Sequence, residues 1–261
     1  MNGSLKAVMA VAGGMAGMVI LGGCTSQVES TAALATAPSP SVTEIQKPVR
    51  VDPTGAVQGF MTTEQRYTRG LQLYDEGAYE EAEREFSAVC EKWSKFSKPF
   101  KHLARTQIKL GRFEEALENA LDAQEMNSKD GAIDNVVGLA YMELDDFDSA
   151  EAAFRSAIEK TPTFAWSYNN LGYLLIQKGD FAGARDILTE GGKQDKAPAI
   201  LFNNLGMALE KTGDTAGAKD AYAKAVDLDP THAKATLNLS RLGKPAETLK
   251  SEEMVQITEK Q

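Results

Sequence analysis

Gly179-Asp180-Phe181-Ala182-Gly183-Ala184 decides the fold, because close variants of this stretch return along the chain at a fixed interval. Its last alanine has counterparts at Ala82, Ala116, Ala150 and Ala218, each 34 residues from the next. Three residues before each alanine stands Tyr79, Phe113, Phe147, Phe181 or Thr215, and five before it stands Gly77, Gly111, Asp145, Gly179 or Gly213. An unbroken period of this length marks stacked supersecondary units, each burying its apolar face against its neighbours. Such arrays present long surfaces and usually bind things.

Units counted from Thr63, Ser97, Gly131, Ala165 and Ala199 place Tyr168, Leu171, Gly172 and Leu175 at positions four, seven, eight and eleven of the fourth unit. The fifth unit has Phe202, Leu205, Gly206 and Leu209 there. Over about residues 63 to 241 this pattern resembles the tetratricopeptide repeat. The resemblance implies an all-α, right-handed solenoid of five helix pairs closed by a C-terminal capping helix. Thr62-Thr63-Glu64-Gln65 reads as a capping box that opens the first helix. Position eight is Gly70, Ala104, Gly138, Gly172 or Gly206, small where the two helices of a pair cross. Position twenty-four is Phe86, Ala120, Phe154, Leu188 or Tyr222, and Pro162 and Pro230 end the second helices of units three and five. Gly191-Gly192 predicts an early end to the second helix of unit four. Thr231 to Leu242 reads as the cap, with Leu237, Leu239 and Leu242 packing back and Lys234, Ser240 and Arg241 more exposed.

Upstream, Lys6 and the uncharged run Ala7 to Ile20 have the form of a secretory signal, too short and glycine-rich for a comfortable membrane span. Leu21-Gly22-Gly23-Cys24 resembles the lipobox of bacterial lipoproteins. That resemblance implies cleavage of residues 1–23, diacylation of Cys24 and a firm lipid anchor. Thr25-Ser26 resembles the start of lipoproteins sent to the outer membrane, with a periplasm-facing domain as the expectation. Residues 24–61 are rich in Ser, Thr, Ala and Pro and lack apolar periodicity, as expected of a disordered tether. Residues 62–242 hold the five units and the cap, and residues 243–261 form a polar tail.

The formal charge of -9 argues against nucleic acid as a partner and against nonspecific adhesion to anionic membranes, although local patches can differ. Cys24, Cys90, His102 and His232 are too few and too scattered for a disulfide framework or a structural zinc site. Cys90 reads as a buried small hydrophobe. No catalytic constellation or phosphate loop emerges, so the expectation is a non-enzyme without cofactor, metal or small-molecule substrate.

In tetratricopeptide arrays the first helices line a concave groove, and the resemblance carries that role to particular positions here. In unit two they are Lys98, Lys101, Arg105 and Lys109, on one helical face and suited to an acidic segment or a C-terminal carboxylate. Asn135, Asn169 and Asn203 recur at position five, and Asn170, Asn204 and Asn238 at position six. Such amides can grip the backbone of an extended peptide, or brace neighbouring turns. Trp166, Tyr173, Ile176 and Met207 would add apolar anchors, with Tyr67 and Tyr74 in unit one. The whole resembles the tetratricopeptide lipoproteins of type IV and Tad pilus biogenesis, some of which help a secretin ring assemble. This implies a protein-binding scaffold for secretin or other pilus-assembly subunits. An adaptor for peptidoglycan hydrolases or proteases, and a chaperone-like binder of extended polypeptides, are the alternatives.

Overall fold

The computed structural model describes residues 61–243. The signal, Cys24, nearly all of the tether and the tail after Gly243 lie outside the described residues. Within them the array runs α1 (Thr63–Asp75), α2 (Tyr79–Lys92), α3 (Ser97–Lys109), α4 (Phe113–Met126), α5 (Gly131–Glu143), α6 (Phe147–Lys160), α7 (Ala165–Gln177), α8 (Phe181–Gly191), α9 (Ala199–Lys211), α10 (Thr215–Leu228) and α11 (Ala233–Gly243). The first helices of the five pairs open at the same position of the period, to the residue, and so do the second helices. Among the described residues no helix is long and apolar enough to cross a membrane.

The stretch Gly179 to Ala184 shows why the period takes this form. Gly179 sits at φ +80° between α7 and α8, in the left-handed region open to glycine, and Gly77, Gly111 and Gly213 do the same in their units. Unit three puts Asp145 there at φ +60°, at a cost of about 1 kcal/mol. The next residue, Asp180, caps α8 by accepting a bond from the Gly183 N–H at 2.9 Å, and Asp146 and Asp214 cap α6 and α10 in the same way. Ala184 is fully buried, as are Ala82, Ala116, Ala150 and Ala218. At the chain's start, Thr62 and Gln65 form the expected reciprocal capping box.

Position eight is small for a more specific reason than helix crossing. A Cβ on Gly138 would lie 2.5 Å from Phe154, one on Gly172 2.4 Å from Leu188 and one on Gly206 2.5 Å from Tyr222. Position eight thus yields its volume to position twenty-four of the same unit. In unit two, where that partner shrinks to Ala120, the first helix keeps the Cβ of Ala104. The early end of α8 at Gly191 agrees with the sequence, and the glycine also serves packing: a Cβ there would meet Tyr168 Cβ at 2.4 Å.

First helices pack on one another from unit to unit, while each second helix is wedged between the first helices of its own and the following pair. The first helices therefore form the inner, concave side. Ser167 of α7 is fully buried in this packing, and its Oγ alone among the described buried side-chain polar atoms has no hydrogen-bond partner. The equivalent position is Ile133 in α5, Leu201 in α9 and Ala235 in α11. An unpaired buried hydroxyl is costly, so Ser167→Ala is expected to raise stability by about 1 kcal/mol. Thermal melting of the two proteins checks this, and a lower midpoint for the variant contradicts it.

The capping helix departs from expectation at two residues. Leu237, expected to pack back, is 69% exposed, because position five faces the groove and no later described helix lies over it. Arg241, expected at the surface, is half-buried and makes a two-pronged pair with Glu210 Oε1 at 2.7 Å and Oε2 at 2.6 Å.

Candidate functional site

The middle of the inner face carries almost no charge. α7 contains no acidic or basic residue, and α9 contains none before Glu210. Along its floor run six asparagines in one continuous chain of hydrogen bonds. Asn238 Nδ2 donates to Asn203 Oδ1 at 3.1 Å, Asn203 to Asn204 at 3.5 Å, Asn204 to Asn169 at 3.0 Å, Asn169 to Asn170 at 3.1 Å, and Asn170 to Asn135 at 3.0 Å. Alternate steps cross from position six of one unit to position five of the unit before, tying α11, α9, α7 and α5 together. Of the two roles open from sequence, these bonds perform the bracing. Each inner amide still has a second N–H and a second lone pair. Asn203 directs one of its N–H groups at Met207 Sδ, 3.7 Å away. The chain ends at Asn135, since the next step would pair Val136 with Lys101.

Beside the amides stand Trp166, Tyr173, Ile176 and Met207, all half-buried. Their partial exposure suits them to apolar contact. The hydroxyl of Tyr173 accepts a bond from Gln177 Nε2 at 2.9 Å. Tyr67 and Tyr74, expected as further anchors, instead join the core of unit one. Tyr74 is buried with Phe86, Cys90 and Leu103, and Tyr67 sets its edge against Phe86 and His102. Unit one carries Arg66 where three other units have a ring, and Arg66 turns to Glu85 at 2.9 Å. Cys90 is buried, as expected, and burial pushes its thiol up to about 12.

Lys98, Lys101, Arg105 and Lys109 all lie on α3. Lys101 Nζ pairs with Asp130 Oδ2 at 2.9 Å, and the Arg105 guanidinium lies 5.1 Å above the ring of Tyr74. Burial first, then the charge of Arg105, pushes the Lys109 ammonium below its ordinary range, with Glu143 opposing. Glu143 is raised in turn, by burial and by Asp145. Lys98 is exposed. The stripe is thus partly neutralised by Asp130 and Glu143, acids that sequence reasoning did not place beside it.

Sequence reasoning also passed over Asp134. Position four holds Phe100, Tyr168 and Phe202 in three other units, yet in unit three it holds this fully buried carboxylate. Gln124 Nε2 donates to its Oδ1 at 2.7 Å, Ser156 Oγ donates to Oδ2 at 2.6 Å, and Lys160 Nζ pairs with Oδ2. The available signal was an acid in a ring's place, with Ser156 and Lys160 one turn apart on the partner helix.

Three models of the tetratricopeptide repeat (TPR) match the chain, over residues 102–165, 141–201 and 199–232. Residues 102–232 belong to the tetratricopeptide-repeat family. The TPR array is similar to TTC0263, a thermophilic TPR protein of Thermus thermophilus, at 21% identity with a TM-score of 0.61, covering 69% of this chain and 98% of that one. It is similar to a TPR protein from Parabacteroides merdae at 15% identity and a TM-score of 0.59, covering 70% of this chain and 72% of that one. The APC/C hetero-tetramer Cut9-Hcn1 is matched at 16% identity and a TM-score of 0.63, with 70% of this chain and 36% of that chain covered. At these identities the likeness is one of fold. No curated protein sequence matches the chain significantly. The protein is a TPR scaffold for protein–protein interaction.

Proposed function

We propose that this TPR protein is a lipid-anchored scaffold of the outer membrane, facing the periplasm, that holds an extended segment of a protein partner in its groove while an envelope machine of the pilus or secretin kind assembles. The observation that carries the groove reading is the uncharged floor of paired amides, edged by Trp166, Tyr173 and Met207 and adjoining the cations of α3. An extended peptide would lay apolar side chains on the rings, over a floor held in place by the buried amides. An acidic residue or C-terminal carboxylate would suit the α3 end. The anchor rests on Cys24 and its preceding signal, and the choice of machine rests on the combination of lipobox, tether and repeats.

A photo-crosslinking residue at Tyr173 or Met207, compared with one at the exposed Ala182 on a second helix, tests the groove in intact envelopes. A partner is expected at the first two positions and not at Ala182, with its yield cut at least fivefold, on the order of 1 kcal/mol, by Trp166→Ala. Crosslinks confined to Ala182, or a yield indifferent to Trp166→Ala, would sink the groove reading. Secretin or pilus subunits are the expected captures, whereas a cell-wall hydrolase would replace the pilus reading by the adaptor one. The anchor is checked separately: Cys24→Ser is expected to leave the outer-membrane fraction.

A further inference from the structure

Residues 92 to 112 contain seven basic side chains and no acidic one, in a protein of net charge -9. Neighbouring groups occupy the later four. Lys101 pairs with Asp130, Arg105 lies on Tyr74, Lys109 feels Glu143, and Arg112 Nη1 donates to both Glu83 oxygens at 2.8 Å. The first three, Lys92, Lys95 and Lys98, are exposed and make no ion pair among the described residues.

In sequence these three lysines alternate with the two aromatic side chains of the turn between α2 and α3. Phe96 is 62% exposed, a large apolar group at a tip. It is held there rigidly: its N–H donates to the Trp93 carbonyl at 3.0 Å, its ring centroid lies 6.0 Å from that of Trp93, and Trp93 in turn lies 5.9 Å from Tyr67. The segment Lys92-Trp93-Ser94-Lys95-Phe96-Ser97-Lys98 therefore presents an exposed ring, braced by Trp93, among three exposed lysines close in sequence.

We propose that this turn is a docking site for the surface of an anionic phospholipid bilayer. Tryptophan and phenylalanine settle at the boundary between headgroups and acyl chains, and flanking lysines are drawn to anionic headgroups. One ligand satisfies both halves of the site. The acidic remainder of the protein is repelled by the same surface, so contact is confined to this turn and the array is oriented with unit one and the start of unit two toward the lipid. The site shares Lys98 with the α3 stripe but is otherwise separate from the inner face, and it needs no acyl group at Cys24.

The test uses the full-length chain carrying Cys24→Ser, so that no acyl group contributes, and Trp166→Phe, so that Trp93 is the sole tryptophan. It is mixed with vesicles of phosphatidylcholine alone, or with phosphatidylglycerol added, in plain and chain-brominated forms. On anionic vesicles the Trp93 emission is expected to shift to shorter wavelength and to be quenched by bromine, and raised salt is expected to reverse both. Lys95→Glu with Phe96→Ser is expected to weaken this partitioning at least tenfold. The leader can hold both proteins on vesicles, so the comparison is read at Trp93 itself, by its emission shift and bromine quenching. Equal quenching of Trp93 in the two proteins, or a Trp93 signal insensitive to bromine, overturns the proposal. Binding to soluble polyglutamate without bromine quenching on vesicles overturns it in favour of an acidic protein partner.

Discussion

Replacing Asp134 by alanine is expected to lower the stability of the array by about 3 kcal/mol, read as a lower urea midpoint. The side chain is fully buried and accepts from Gln124 and Ser156 while pairing with Lys160. Its removal leaves two donors without an acceptor and opens a cavity between α4, α5 and α6. Lys160 is partly exposed and can turn to solvent, which places the cost at the lower end of the range for breaking a buried pair. Removing both charges and refilling the volume, with Asp134→Leu and Lys160→Met together, is expected to recover most of the loss. A single variant that unfolds with the parent would mean that the cluster does not hold unit three together.

The second large effect is a loss of stability on mild acidification that is carried by His102. Its ring stacks on Phe86 at 5.6 Å and meets Tyr67 edge-on, while burial, then the charges of Arg105, Lys101 and Lys98, brings its pKa down to about 3. The unfolded chain takes up this proton near pH 6.5, so between the two values the unfolded state binds more protons and stability falls as the pH falls. From pH 6.5 to 5 the expected loss is about 2 kcal/mol. Glu151, held low by bonds from Lys178 and Arg155, and Glu210, held low by its bond from Arg241, lose their contribution only at still lower pH. Glu143 shifts in the opposite sense, so the comparison is made against His102→Phe in the same buffers. The variant is expected to lose this fall in stability across the window. Parallel slopes for the two proteins would assign the acid sensitivity to other groups.

The helices were legible because the turn inside each pair repeats a left-handed residue, glycine in four units and Asp145 in the third, and a buried alanine, joined in units three to five by a capping aspartate. Those constraints fix spacing, so Thr63, Ser97, Gly131, Ala165 and Ala199 open helices where the counting put them. The site was less legible. A single sequence shows that Asn169 and Asn204 repeat, but their mutual bond depends on how far one unit rotates against the next. It likewise cannot show that Asp130 would reach Lys101, or that Tyr67 would turn inward once Arg66 had replaced a ring. Position labels carry over from unit to unit, while side-chain partners depend on what each unit has in the facing helix. Leu237 and Arg241 depart from expectation for that reason, since one lacks a covering helix and the other finds Glu210.

The chain of amides has a mechanical meaning. Every rung from Asn135 to Asn238 joins neutral groups, so neither salt nor mild acid weakens these bonds. Across the inner face between units two and three the corresponding tie is the partly exposed ion pair of Lys101 with Asp130, which salt screens. The floor of the groove is therefore tied by neutral amides over its C-terminal half and by a screenable ion pair at the joint between units two and three. Ionic strength reaches the C-terminal half only through pairs away from the amides, Lys178 with Asp148 and Glu151 and Arg241 with Glu210.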